Sequence, residues 1–167
     1  ETQWGNEKRE YGLIKPYLEE LARLNPGSHY FYEQDEAGHF VRCGFTVPFA
    51  TKFLNHAIPA QIHDMCHLRN QKYPGQLSHM VAQDGKHNIL GLSWGLHKGE
   101  DEMEWNAIMT SNRAVLDANG FDCGRMFLVG DYDKGMTNAA KSVFPEVQSF
   151  RCTTVSYTHL TLPTILL

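Results

Sequence analysis

Apolar residues recur at three- and four-residue steps from Tyr11 to Leu24, where Leu13, Ile14, Tyr17, Leu18, Leu21 and Leu24 share one stripe. The spacing predicts a first helix, with Pro16 in its first turn, where a missing N–H costs little. Asn25-Pro26-Gly27 ends it. Two strand-like runs, His29 to Glu33 and His39 to Phe45, then flank Asp35-Glu36-Ala37-Gly38 and predict a hairpin. Ile58 to Asp64 is a short apolar strand that ends in an acid. A second hairpin is expected from Gln76 to Gln83 and Asn88 to Leu96, turning at Asp84-Gly85.

Helical spacing returns at Trp105, Ile108, Met109, Asn112 and Leu116, before Asn119-Gly120 stops it. The acids Glu100, Asp101, Glu102 and Glu104 suit the N-terminus of that helix. Met126 to Gly130 is apolar throughout, the pattern of a strand buried on both faces, and it ends in Asp131. A short helix from Met136 to Val143 and a strand from Val147 to Cys152 follow. The order predicts a mixed α/β sheet flanked by helices and preceded by an N-terminal helix and hairpin.

Composition narrows the class. The 167 residues are 42% hydrophobic and 20% charged, ordinary for a globular chain and against a disordered one. No apolar run is long enough for a membrane span. A net charge of −4 does not by itself draw the chain to a phosphate backbone. Cys43, Cys66, Cys123 and Cys152 are too scattered for a zinc site and read as reduced thiols of an intracellular protein. Val155 to Leu167 has no Asp, Glu, Lys or Arg, and its Ser156-to-Thr164 run resembles translated sequencing-adaptor or vector read-through. The start, Glu1-Thr2-Gln3-Trp4, has no initiator Met and reads as an internal fragment.

Asp64 and Asp131 are the residues with most chemical promise. Carboxylates just past buried strands stand where α/β sheets bind ligands. On neighbouring strands they could share divalent cations, for which Mg²⁺ requires hard oxygen donors. From pattern alone each of them reads first as a turn or helix-cap residue. His63, Cys66 and His67 crowd Asp64 and would suit a softer metal if they converged, or would simply alternate along the strand end. Trp94, Trp105, Phe127 and Phe144 fall in apolar periodic segments and are expected in the core. Lys72, Lys86, Lys98 and Lys134 fall near predicted loops and read as solvated surface lysines.

From Tyr11 to Cys152 the chain resembles the central domain of Mutator-like element (MULE) transposases. The resemblance rests on an ordered series: Leu24-Asn25-Pro26-Gly27-Ser28, Ile62-His63-Asp64 through Tyr73-Pro74-Gly75, Val81-Ala82-Gln83-Asp84-Gly85, and Ile89 to Trp94. Glu100 with Trp105 and Gly130-Asp131-Tyr132-Asp133-Lys134-Gly135-Met136, with Ala139 and Phe144-Pro145, continue it. It implies a ribonuclease-H-like fold whose first and fourth strands are adjacent. Residues 1–56 would form the N-terminal helix and hairpin, 57–152 a partial core, and 153–167 a non-native tail.

The resemblance further implies that Asp64 and Asp131 are the first two acids of an Asp-Asp-Glu triad holding two Mg²⁺ or Mn²⁺ ions, with Asp133 a further metal candidate. It implies DNA partners (terminal inverted repeats and target DNA), metal-dependent strand cleavage and transfer, a nuclear location, and room for a homo-oligomer, with no membrane. Departures are visible. Met65-Cys66-His67 replaces a small, Gly-containing run, and Val155 stands where a His is expected after Cys152. The third acid is expected downstream, since Glu146 is too close to Asp131, so the fragment itself is expected to be inactive. The alternatives are a domesticated transposase-derived transcription regulator that binds DNA without cutting it, or a decayed element.

Overall fold

A computed structural model describes residues 7–68, 75–131 and 133–152, without the side chains of 7–10, 50 and 51. The chain order is α1 (Glu7–Leu24), β1 (His29–Gln34), β2 (Phe40–Thr46), α2 (Phe49–Leu54), β3 (Ala60–His67), β4 (Gln76–Gln83) and β5 (Ile89–His97). It continues with α3 (Glu102–Ala118), a 3₁₀ turn at Cys123–Arg125, β6 (Phe127–Gly130), α4 (Lys134–Val143) and β7 (Gln148–Arg151). The strands form one seven-stranded sheet in the order β1-β2-β5-β4-β3-β6-β7.

The pairing explains the architecture. The runs β1–β2 and β3–β4–β5 are antiparallel, and β2 joins β5, so the N-terminal hairpin widens the same sheet. Chain direction changes at β6, which pairs parallel with β3 and with β7. Parallel neighbours need crossovers, and α3 and α4 supply them. The first and fourth strands of the β3–β7 unit, β3 and β6, are thus adjacent, as the ribonuclease-H-like fold requires, and the expected fold class is the one observed.

Both long crossover helices pack on one sheet face. Trp105, Ile108, Met109 and Leu116 of α3 and Met136, Ala139 and Ala140 of α4 are buried against Met80, Leu92 and Leu128. At the far end α1 packs against β1, burying Leu18, while Tyr11 meets the Phe40 ring. Several polar residues inside this core are paired. Arg42 reaches Glu33 (2.8 Å) and Glu104 (3.1 Å), and Glu104 also meets His97 (3.0 Å), which meets Ser78 (2.7 Å). This chain of contacts ties α3 to four strands, β1, β2, β4 and β5.

Local expectations needed correction in several places. Helix α1 starts at Glu7, so Pro16 lies inside the helix instead of in its first turn. The helix-favouring Glu7-Lys8-Arg9-Glu10 extends it, and one absent N–H is tolerated. The second hairpin forms as expected, its strands Gln76–Gln83 and Ile89–His97 joined by a turn over Asp84 to Asn88. Asp84 Oδ1 accepts from the Lys86 and Asn88 amides, and the positive φ falls on His87 (67°). Strand β3 runs three residues past Asp64 because pairing with β4 continues to His67. Strand β6 is buried on one face only: Leu128 and Gly130 are covered, Phe127 and Val129 half-buried. Lys72 and residues 153–167 lie outside the described residues.

Candidate metal centre

Alternation along β3 divides its residues between two environments. Gln61, His63 and Met65 point into the helix-covered core. Asp64 points the other way and is exposed. In the parallel register Ile62 faces Val129, and Asp64 and Asp131 each follow two residues later along the chain. Gly130 holds the strands close, since a Cβ there would meet the Met136 side chain and stand 3.3 Å from the His63 carbonyl oxygen. Strand β6 ends at Gly130, which frees Asp131 to begin the loop.

Backbone amides orient both carboxylates. Met65 N–H donates to Asp64 Oδ1 (2.9 Å), and Asp133 N–H donates to Asp131 Oδ1 (3.0 Å). Asp133 caps α4, its Oδ1 accepting from Gly135 N–H (2.6 Å). Opposite them α3 begins with its own cap, Asp101, whose carboxylate accepts from the Met103 and Glu104 amides. The two helix starts touch: a Cβ on Gly135 would stand 2.9 Å from the Asp101 carbonyl carbon and from Glu102 N, and Asn138 Nδ2 donates to Glu102 (2.8 Å).

That contact brings Glu100 into the acidic group, a membership its position in the sequence did not reveal. Burial, followed by the charges of Asp131, Asp133 and Asp64, pushes the Glu100 carboxyl up to about 7, against a hydrogen bond from Gln76. Among the described residues no Lys or Arg pairs with Asp64, Glu100, Asp131 or Asp133. The surplus negative charge is therefore uncompensated, and the donors are hard oxygens, which suits a divalent cation such as Mg²⁺ or Mn²⁺. Among the described residues no three His, Cys, Asp or Glu side chains are grouped so that they could hold a metal ion.

A softer site from His63, Cys66 and His67 is ruled out by geometry. His63 is buried in the core, stacked on Trp105 at 6.5 Å, and burial pulls its imidazole down to about 3. Cys66 is exposed on the Asp64 face, so the two are turned apart. Cys43 and Cys123 are buried free thiols and Cys66 an exposed one.

Trp105 and Phe144 are core residues as expected, each 1% exposed, but Trp94 is not. It is 37% exposed on the Asp64 face, stacked at 5.4 Å on His79, the cross-strand partner of Asp64. Phe127, also expected inside, is half-buried edge-on to Phe150. Strict alternation from the buried Ser93 and Gly95 could have flagged Trp94, had the apolar run not suggested burial on both faces.

No curated protein is significantly similar to this chain in sequence. Among solved structures, a chain of the simian T-cell lymphotropic virus intasome in complex with PP2A regulatory subunit B56 gamma is 16% identical at a TM-score of 0.37. The match covers 65% of the present chain and 40% of that one. RNase H1 from the halophilic archaeon Halobacterium salinarum NRC-1 is 14% identical at a TM-score of 0.34, over 58% of this chain and 88% of its own. Among the described residues no helix is long and apolar enough to cross a membrane. Residues 60–157, more than half of the sequence, match the MULE transposase domain, and the chain belongs to that family.

Proposed function

We propose that this domain serves metal-dependent cleavage and transfer of DNA strands, with Asp64 and Asp131 as its two metal-holding acids. What supports the reading is that Asp64 and Asp131 each follow by two residues a paired position of adjacent parallel strands, both act on the Glu100 carboxyl, and each carboxylate accepts from a backbone amide. A pair of divalent ions bound there would activate the attacking oxygen and stabilise the leaving one. The Met65 and Asp133 amides leave Asp64 and Asp131 oxygens free to face cations. Asp133 keeps one oxygen on its helix cap and has the other for a cation. A third acid belongs to the downstream sequence of the intact protein, whose partners would be its terminal repeats and target DNA in the nucleus.

Excision of the encoding element, scored by amplifying the repaired donor site, tests this. Asp64→Asn and Asp131→Asn should each lower excision at least about a hundredfold. Unchanged excision in either variant contradicts the reading. No excision by the parent, with retained binding to DNA, would favour a regulator descended from a transposase.

A further inference from the structure

Strand β1 is one edge of the sheet, so the amides and carbonyls along its outer side have no strand to pair with among the described residues. Both faces of the strand are covered. His29 reaches Ser111 of α3 on one face (3.0 Å), and on the other Tyr32 packs on Phe40, which meets Tyr11 of α1. Edge strands of monomeric proteins are usually guarded by Lys, Pro or shortness. The opposite edge, β7, is four residues long and ends in Arg151. Strand β1 has six residues, His29-Tyr30-Phe31-Tyr32-Glu33-Gln34, with no Lys or Pro and three adjacent aromatics.

That sequence is complementary to itself when reversed. Antiparallel pairing about a two-fold axis at Phe31 sets Phe31 opposite Phe31, Tyr30 opposite Tyr32 and His29 opposite Glu33 of a second copy. Both members of every pair then lie on one face of the joined sheet. The charged ends are free to meet. Glu33 keeps Oε2 on Arg42 Nε (2.8 Å) and is half exposed, which leaves Oε1 for a second donor. His29 is exposed and turns Nδ1 to Ser111, which leaves Nε2 to donate. Pairing ends at Glu33, because β1 bulges between Glu33 and Gln34.

A crevice of about 330 Å³ lies between β1 and α3, walled by Phe31, Met103 and Ala107, with Asn106 and Thr110 beside them. Phe31 is only half-buried there. A second β1 strand would close the crevice and cover both phenylalanines, adding apolar burial to the ladder of hydrogen bonds. We propose that β1 is a homodimer interface: two copies of this chain join edge to edge through antiparallel β1 strands centred on Phe31, making one continuous sheet. The proposal does not depend on the two-aspartate reading, since β2, β5 and β4 stand between β1 and the strand that carries Asp64.

Sedimentation equilibrium of the full 167-residue chain tests it, with thermal melting as a check on folding. The parent should be a dimer at about 100 μM. His29→Glu sets like charges opposite each other at both ends of the pairing and should weaken the dimer at least about tenfold. His29→Lys keeps a cation opposite Glu33 and should retain the dimer. Cross-linking in a Cys66→Ser, Cys152→Ser background reads the register. Opposed Cα atoms in an antiparallel pair lie about 4.5–5.5 Å apart, within disulfide reach. Phe31→Cys should therefore oxidise to a linked dimer, and His29→Cys alone should not. The double variant His29→Cys, Glu33→Cys, altered only at exposed positions, should also link, and it decides the register if Phe31→Cys does not fold. A parent that is monomeric at that concentration overturns the proposal. So does a dimer that His29→Glu leaves unchanged and that neither cysteine design links.

Discussion

Gly135 and Glu102 are in such close contact that a Cβ on the glycine would stand 2.9 Å from the Glu102 backbone nitrogen, with no flexible side chain between them to yield. The starts of α3 and α4 are thereby locked to each other, and with them the acids just before each helix. Gly135→Ala should force the helices apart, lowering stability by about 1–3 kcal/mol in a denaturant melt. It should also weaken cation binding, although it removes no ligand. A stable Gly135→Ala variant with parental cation affinity would show that the helix contact does not set the site.

The buried Arg42–Glu104 pair gives a second expectation. Arg42→Met leaves Glu104 buried with only His97 beside it and should cost about 3–5 kcal/mol. Removing both charges, as in Arg42→Met with Glu104→Leu, should recover much of that loss, because no isolated charge remains. Denaturant melts of the two singles and the double measure the coupling directly.

Acid stability should be governed in part by His63. Its imidazole is held down at about 3 in the folded chain, against an ordinary value of 6.5, because it is buried. Between these values the unfolded chain binds the extra proton, so stability is complete above pH 6.5 and falls as the pH drops toward 3. The slope from this residue is about 1.4 kcal/mol per pH unit. Melts across that range should show a shallower acid loss in His63→Gln.

Thiol reactivity should separate the cysteines. Burial pushes the Cys43 and Cys123 thiols up to about 11, so at pH 8 very little of either is thiolate. Cys66 is exposed. A disulfide reagent should therefore modify Cys66 first and reach Cys43 and Cys123 only when the chain unfolds, which mass mapping can follow.

Most of the fold was legible because its signals are local. The first stripe of leucines, the Asp35 turn and the acids at the start of α3 are each local signals, and each element formed near where its pattern placed it, α1 starting four residues earlier than expected. The adjacency of β3 and β6 came from the family resemblance, since no local pattern encodes which distant strands pair. The misplacement of Trp94 comes from which sheet face the helices cover, a choice that also turned His63 inward and that the apolar content of a single strand does not encode. Glu100 was visible as a charge suited to a helix start and, with Trp105, as part of the family's motif series, but not as a neighbour of the two aspartates. Its meeting with Asp131 depends on α3 docking on α4 through Gly135 and Asn138, a tertiary contact. Helix α2 carries no separate apolar stripe, being six residues long, and was not foreseen.

The central claim is that Asp64 and Asp131 grip the same cation, and two amides report on them directly. Met65 N–H and Asp133 N–H each donate to one of these carboxylates. In a Mg²⁺ titration followed by ¹H–¹⁵N correlation spectra, the account predicts that both amide resonances move along one binding curve, and that Asp64→Asn abolishes the movement at Asp133 as well. Two unrelated curves, or resonances that stay in place, would contradict it.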